Sequence, residues 1–209
     1  MEKTLKRYFV IFTVPTIIAF AFAFIIPFAQ GLYLSFCNFT TVKNAKWVGL
    51  ENYKLAFAEN QGFTSALLFT VGFTIIAVIS INLLAFTLAL ALTRKIKGTN
   101  IFRTVFFMPN LIGGIVLGYT WQQMINAILY QFETTIVSNA KYGFWGLVIL
   151  MNWQMMGYMM IIYIAGLQNV PTELIEAAKI DGATSWQTLI KVKLPMVMSS
   201  ITICMFLTL

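Results

Sequence analysis

Four long stretches without Asp, Glu, Lys or Arg constrain the fold of this chain more than any other feature. They cover residues 8–42, 60–93, 104–132 and 142–172, and they contain 35, 34, 29 and 31 residues. A helix that crosses a lipid bilayer needs about 20 predominantly apolar residues. Each stretch therefore has room for one membrane-spanning helix together with its ends.

The composition agrees with membrane insertion. Of the 209 residues, 59% are hydrophobic and 10% are charged, whereas about 25% are charged in a typical soluble domain. The sequence predicts an all-α fold, a polytopic membrane helix bundle that forms one domain over residues 1–209. The predicted spans are 8–36, 63–93, 105–129, 142–168 and 195–209. The last charge-free run has 16 residues, fewer than the ~17 that a span needs, so we expect the fifth span to be truncated.

Basic residues predict the orientation, because cytoplasmic loops carry an excess of Lys and Arg. With a cytoplasmic N-terminus, ten basic residues lie inside and four lie outside. The inner ten are Lys3, Lys6, Arg7, Arg94, Lys95, Lys97, Arg103, Lys179, Lys191 and Lys193, and the outer four are Lys43, Lys46, Lys54 and Lys141. These short clusters also account for the net charge of +7, so no nucleic-acid partner is predicted.

The chain lacks the residues that several classes of protein need for their function. The chain has no histidine and two cysteines, Cys37 and Cys204, so neither a metal site nor a disulfide framework is predicted. It has no Gly-x-x-x-x-Gly-Lys-Ser/Thr loop for ATP. No ionisable residue lies within a predicted span, where proton-coupled transporters usually have one. We therefore expect neither an enzyme nor a bound cofactor, and any energy source has to be a partner.

The stretch 171–194 concentrates charge between two apolar runs, and the predicted orientation places it in the cytoplasm. Pro171 suits the first position of a helix, and Gly182 suits the left-handed residue that ends one. Thr184 and Gln187 have the spacing of a capping box, which begins a second helix. Two helices this short are marginal in water, so they need the membrane bundle or a partner. The alternative is a loop that lies on lipid headgroups.

In the second of these helices, apolar residues recur at helical spacing. Trp186, Leu189 and Ile190 fall at i, i+3 and i+4, with Lys193 at i+7, so they are predicted to share one face.

The first external segment has aromatic residues without such a pattern. They are Phe39, Trp47, Tyr53 and Phe57, and they predict either a belt at the membrane interface or a docking surface for a soluble partner.

The third and fourth predicted spans contain side chains that need hydrogen-bond partners. Amides such as Gln122 and Asn152 would lose ~1 kcal/mol or more if they faced lipid. We therefore expect these groups to face other helices or water. Gly114 and Gly118 have the small-residue spacing that lets helix backbones approach each other.

The stretch 171–194 resembles the signature of the permease subunits of binding-protein-dependent ABC importers. In that signature Glu-Ala-Ala is followed after three residues by Gly and, nine residues later, by Ile-x-Leu-Pro. The matching residues here are Glu176-Ala177-Ala178, Gly182, Val192 and Leu194-Pro195, with valine in place of isoleucine. The segments 33–36, 47–53 and 180–183 look like the carbohydrate branch, related to maltose-, lactose- and glycerol-phosphate-type permeases.

The resemblance implies the fold of a type I ABC importer permease in the prokaryotic plasma membrane. Such permeases usually have six core spans. The implied partners are a second homologous permease, a dimer of ATPase subunits that binds ATP and Mg, an extracellular sugar-binding protein and membrane lipid. The implied ATPase-coupling residues are Glu173, Glu176, Ala177, Ala178, Asp181 and Gly182. A purely structural role for Gly182 and the two alanines is the alternative.

The implied function is half of the translocation path of an ATP-driven sugar importer. Aromatic faces and amides match the apolar face and the hydroxyl rim of a sugar. The candidates for the path are Trp121, Gln122, Asn152, Gln154 and Tyr158, and helix-to-helix hydrogen bonding is the alternative for each. The alternative for the whole chain is a structural or assembly subunit that docks a cytoplasmic partner without translocating anything.

Overall fold

The computed structural model describes residues 2–58, 62–94 and 97–209. Lys95, part of the predicted cytoplasmic cluster, lies outside the described residues. The chain divides into two compact units, Met1–Leu68 and Phe69–Leu209. Helices account for 81% of the structure, which confirms the predicted all-α class.

The first unit begins with a long helix that contains one wider turn. It comprises α1 (Glu2–Phe20), a π-helical turn (Ala21–Ile25) and α2 (Ile26–Ser35). Pro27 has no N–H to donate to the carbonyl of Ala23, four residues earlier, and this explains the wider turn. No residue of the π-turn or of α2 is buried. The helix therefore presents apolar side chains all round, as a membrane span does.

A small hairpin and a short helix complete the described part of the first unit before α4. They are β1 (Cys37–Asn38), β2 (Lys46–Trp47) and α3 (Glu51–Ala56). The strands are antiparallel, with Cys37 opposite Trp47. The Asn52 amide donates two hydrogen bonds of 2.9 Å, to the carbonyls of Ser35 and Cys37. These bonds tie α3 to the end of α2 and to the hairpin, while Trp47 stays 62% exposed.

The second unit contains the remaining helices. They are α4 (Phe63–Leu92), which begins in the first unit, α5 (Thr99–Phe107), α6 (Gly114–Leu129), α7 (Ala140–Gln168), α8 (Thr172–Ile180), α9 (Ser185–Thr188), α10 (Leu194–Met196) and α11 (Met198–Thr208). A π-helical turn, Leu189–Lys193, joins α9 to α10. The Asn139 side chain caps α7 by accepting a 3.0 Å hydrogen bond from the N–H of Lys141.

Three helices in the described ranges are long and apolar enough to cross a membrane. They are Ile11–Ser35, Phe63–Leu92 and Ala140–Gln168. Two bent pairs also qualify if each pair counts as one span. The bend is 99° between Thr99–Leu111 and Gly114–Phe132, and 70° between Ser185–Met196 and Met198–Thr208. The chain is thus a multi-pass membrane protein.

The structure differs from the predicted single helix over 105–129. The helix ends near Pro109, and the backbone at Ile112 and Gly113 is extended, with ψ of 130° and 133°. Proline provides no N–H for the helix, and two successive glycines lower helix stability. A broken pair, α5 and α6, therefore replaces the predicted continuous span, and α5 packs against α7.

The predicted fifth span, 195–209, is also interrupted. Pro195 cannot donate to the carbonyl of Lys191, four residues earlier, and the turn before Pro195 is π-helical. The helix then bends at Val197, whose side chain is fully buried. The apolar helix beyond the bend is α11.

Small residues on one face of α4 form the core with α7 and α11. Ala77, Ala85 and Ala89 are buried and lie four or eight residues apart, so they share a face. Tyr163 of α7 and Cys204 of α11 are also buried in this cluster. Small side chains on α4 leave room for the larger residues of its neighbours.

Glycine allows close helix contacts at positions that the sequence analysis did not select. A Cβ built on Gly157 in α7 would overlap the carbonyl oxygen of Phe106 in α5. A Cβ on Gly166 would overlap the side chain of Ser200. In contrast, nothing lies within 4 Å of a Cβ built on Gly114 or Gly118. The predicted close approach at that pair is therefore not made within the described part of the chain.

Candidate functional site

The polar stretch after α7 begins with α8, and its end is built as the sequence predicts. Gly182 has a φ of 76°, which glycine adopts without steric cost. The Gly182 N–H donates to the carbonyl of Lys179 at 3.1 Å, and the Ala183 N–H donates to the carbonyl of Ala178 at 2.9 Å. Together these bonds form a Schellman motif. The predicted left-handed end of the helix at Gly182 is confirmed.

The next helix, α9, begins with a reciprocal cap. The Thr184 hydroxyl oxygen accepts a 3.2 Å hydrogen bond from the N–H of Gln187, and the Gln187 side-chain oxygen accepts a 2.8 Å bond from the N–H of Thr184. This confirms the predicted capping box. Only Ala183 separates this cap from Gly182. The turn between α8 and α9 is therefore held by hydrogen bonds on both sides.

Most of the predicted coupling residues are exposed. Glu173, Glu176, Ala177, Asp181 and Gly182 are exposed, and Ala178 is half-buried. Two apolar side chains that the sequence analysis did not select lie among them, Leu174 at 44% exposure and Ile180 at 86%. The sequence signal that could have identified these two residues is their apolar character in a charged segment outside the predicted spans. Acidic and apolar side chains together give α8 a mixed exposed surface.

The predicted apolar face of the second helix is wrong in part. Trp186 is 68% exposed and Ile190 is 42% exposed, whereas Leu189 and Lys193 are half-buried. The π-helical turn at Leu189–Lys193 changes the α-helical spacing after Thr188, whereas Trp186 lies in α9, before that turn. Trp186 and Ile190 thus join Leu174 and Ile180 as exposed apolar side chains of this segment.

A cavity of about 420 Å³ lies at the turn between α8 and α9. It is lined by Ala178, Asp181, Gly182, Ala183, Gln187, Thr188, Lys191 and Val192. Three of these residues have a side chain no larger than a methyl group, which lets another chain approach the backbone closely. Asp181 and Lys191 place one charge of each sign on its wall.

Among the predicted path residues, Trp121 is the one that joins α6 to α7 by direct contact. Its ring stacks on Trp153 with centroids 5.5 Å apart, and its indole N–H donates a 3.2 Å hydrogen bond to the carbonyl of Gly146. Both rings line an open cavity of about 300 Å³, which is otherwise apolar apart from Thr120. Trp153 is not among the path residues predicted from the sequence.

The other predicted path residues have different surroundings. Asn152 is buried, and its amide donates to Ser80 Oγ at 2.9 Å and to the carbonyl of Val148 at 2.8 Å. Its contact with Ser80 is the helix-to-helix hydrogen bonding given as the alternative. Gln122 and Gln154 are half-buried. Tyr158 is 36% exposed and lies one turn after Gln154 on the same face of α7.

Comparison with known proteins identifies relatives over most of the chain. Residues 81–209 match the family described as binding-protein-dependent transport system inner membrane component. The probable starch degradation products transport system permease protein AmyD of Thermoanaerobacterium thermosulfurigenes is 37% identical over 207 residues, which cover 95% of this chain and 70% of the relative. The multiple sugar-binding transport system permease protein MsmF of Streptococcus mutans is 32% identical and is covered to 76%.

A solved structure has a similar fold. It is that of a bacterial ABC transporter involved in the import of the acidic polysaccharide alginate, with a TM-score of 0.79 and 20% identity over 99% of this chain and 74% of the other. The multiple spans, together with the match of residues 81–209, identify a membrane permease. This chain belongs to the family of inner membrane components of binding-protein-dependent transport systems.

Proposed function

We propose that this chain is the permease subunit of an ATP-driven importer of carbohydrates and forms half of its translocation path. Two of its relatives are named as transport system permease proteins, one for starch degradation products and one described as multiple sugar-binding. The observation that carries the proposal is the α8–α9 turn. It exposes the acids Glu173, Glu176 and Asp181 together with the apolar side chains of Leu174, Ile180 and Trp186, and it is locked by a Schellman motif and a capping box.

On this proposal, the α8–α9 turn transmits movement from an ATPase dimer that binds ATP and Mg. Glu173, Glu176 and Asp181 supply polar contacts to the ATPase, while the small side chains of Ala177 and Ala178 let it approach the helix closely. A locked turn transmits a displacement better than a flexible one does, because its hydrogen bonds resist deformation. A second homologous permease and an extracellular binding protein complete the importer on this proposal, and the family description supports the dependence on a binding protein.

The orientation forms part of the same proposal. A cytoplasmic N-terminus places Lys179, Lys191 and Lys193 on the cytoplasmic side with α8 and α9, and it leaves Lys141 outside. A cysteine introduced at Ile180, which is 86% exposed, would react with a membrane-impermeant thiol reagent in inside-out vesicles. Labelling of intact cells at this position would contradict the orientation.

The path is proposed to pass the Trp121–Trp153 stack. Sugars bind to aromatic faces, and the half-buried amides of Gln122 and Gln154 can supply hydrogen bonds. Asn152 contributes through its contact with α4. The Trp121 N–H is occupied by Gly146, so stacking is the interaction that this ring offers.

The test is transport by the reconstituted importer. The chain is co-reconstituted with its paired permease, the ATPase and the binding protein, and both sugar uptake and ATP hydrolysis are measured. We expect Trp153→Ala to reduce uptake while Trp145→Ala, on the same helix and 48% exposed, leaves it unchanged. Normal uptake by Trp153→Ala and by Gln154→Leu would instead favour a structural subunit.

A further inference from the structure

A second cavity lies beside α8, at the ends of two membrane spans. Its volume is about 600 Å³, and its walls come from the ends of α4 and α7, from α8 and α9, and from the π-turn after α9. The α8 residues in the wall are Thr172 and Ile175, neither of which belongs to the predicted coupling residues. The cavity is thus separate from the one at the α8–α9 turn.

The charged residues of this cavity are cationic. Arg94 and Lys193 line it, and hydroxyl groups of Thr93, Thr172 and Ser185 line it as well. No acidic residue is among its described lining residues. Glu173 follows Thr172 in the chain but is exposed and does not line the cavity. The Thr93 hydroxyl already donates to the carbonyl of Leu90 at 3.0 Å, which leaves two positive charges and the hydroxyls of Thr172 and Ser185 among the lining residues, and these favour an anion.

The remaining wall is apolar. Leu90, Leu189 and Ile175 line the same cavity, and Arg94 comes two residues after the last residue of α4. The cavity therefore combines cationic groups with apolar side chains at the end of a span. That is where the phosphates of a bilayer lie, next to its hydrocarbon. At 600 Å³ it falls in the range of sites for small organic ligands, about 300–1,000 Å³.

We propose that this cavity binds the phosphate group of an anionic phospholipid, with the glycerol and upper acyl carbons against the leucines. Arg94 and Lys193 hold the phosphate, because anionic lipids are attracted to basic pockets between helices at the cytoplasmic face. The bound lipid would join the ends of α4 and α7 to α8 and α9, and so would support the α8–α9 turn from the membrane side. The cytoplasmic placement is shared with the proposed function, but lipid binding does not require transport.

The experiment measures lipid binding to the purified full-length chain in neutral detergent. Phosphatidylglycerol and phosphatidylcholine with identical acyl chains are added, and retained lipid is counted by native mass spectrometry. We expect preferential retention of phosphatidylglycerol. The double variant Arg94→Gln/Lys193→Gln should weaken this retention at least about tenfold, the loss expected for two charge-assisted hydrogen bonds.

Two control variants distinguish loss of binding at this site from an effect of net charge and from misfolding. Lys97→Gln/Lys191→Gln removes the same charge outside this cavity and should retain the lipid as the unchanged chain does. Arg94→Lys/Lys193→Arg exchanges the two cations and should restore most of the binding. Equal loss in both glutamine pairs would overturn the proposal, because net charge alone would explain it.

Three further outcomes would also overturn it. Equal retention of the two lipids would exclude recognition of an anionic headgroup. Displacement of phosphatidylglycerol by inorganic phosphate at equal concentration would identify a site for free phosphate. Unchanged lipid retention in Arg94→Gln/Lys193→Gln, together with weaker association of the ATPase, would identify a protein contact. None of these outcomes depends on sugar uptake, so the proposed function is tested separately.

Discussion

The hydroxyl of Tyr163 in α7 donates a 2.6 Å hydrogen bond to Oδ1 of Asn82 in α4. The Asn82 amide nitrogen in turn donates to Thr208 Oγ1 in α11 at 2.9 Å and to the carbonyl of Val78 at 2.8 Å. One asparagine thus links three helices inside an apolar core. Within a bilayer these groups have no water to replace a lost partner.

Replacing Tyr163 with Phe should destabilise the second unit. The change removes one hydrogen bond and leaves Oδ1 of the half-buried Asn82 without its donor, and interhelical bonds of this kind contribute about 0.6–2 kcal/mol in membrane proteins. Thermal unfolding in detergent should show a lower midpoint. Tyr119→Phe, at a position that is 66% exposed, should leave the midpoint unchanged. Equal midpoints for the two variants would show that the network does not stabilise the fold.

Replacing Gly157 with Ala should be more damaging than the same change at Gly118. A Cβ at Gly157 would overlap the backbone of Phe106, whereas a Cβ at Gly118 meets nothing within 4 Å. Overpacking costs about 1–3 kcal/mol, while alanine in place of a helical glycine that has room for a Cβ contributes up to about 1 kcal/mol of stability.

The unfolding midpoints of Gly157→Ala and Gly118→Ala should therefore move in opposite directions in detergent. A tolerated Gly157→Ala would mean that α5 moves away from α7 at little cost. A fall of equal size at Gly118 would indicate that a neighbouring chain packs on α6.

Replacing Gly182 with Leu should uncouple ATP hydrolysis from sugar uptake. A Cβ added at Gly182 meets nothing within 4 Å, but the φ of 76° is strained for leucine. The effect therefore acts through the backbone of the turn. Gly182→Asn should retain most coupling, since asparagine tolerates the left-handed region. Sugar uptake per ATP hydrolysed is the measurement, and normal values for Gly182→Leu would reject the role of this turn.

Replacing Thr184 with Ala should loosen the start of α9. Loss of an N-cap side chain costs about 1 kcal/mol, and both hydrogen bonds of the capping box depend on this residue and Gln187. Hydrogen exchange at the amide of Gln187 should become faster. Thr184→Ser keeps the hydroxyl and should exchange at nearly the original rate. If both variants exchange alike, the cap does not hold this turn.

The parts of the site that depend on near neighbours in the chain could be predicted from the sequence. Gly182 ends α8, and Thr184 caps α9 through Gln187, as spacing alone predicts. The π-turn at Leu189–Lys193 was not predicted, although Pro195, which has no N–H to donate to the carbonyl of Lys191, provided a signal for it.

Charge and apolar run length in the sequence determined that this chain is an all-α membrane protein, because a buried charge is costly anywhere in a bilayer. Only the tertiary structure decided which polar side chains pair. Asn82 bonds to Tyr163, Asn152 bonds to Ser80, and Trp121 stacks on Trp153. Helical periodicity assigns a residue to a face of its own helix, but the identity of the facing helix depends on close contacts such as that of Gly157 with Phe106, between residues far apart in the chain.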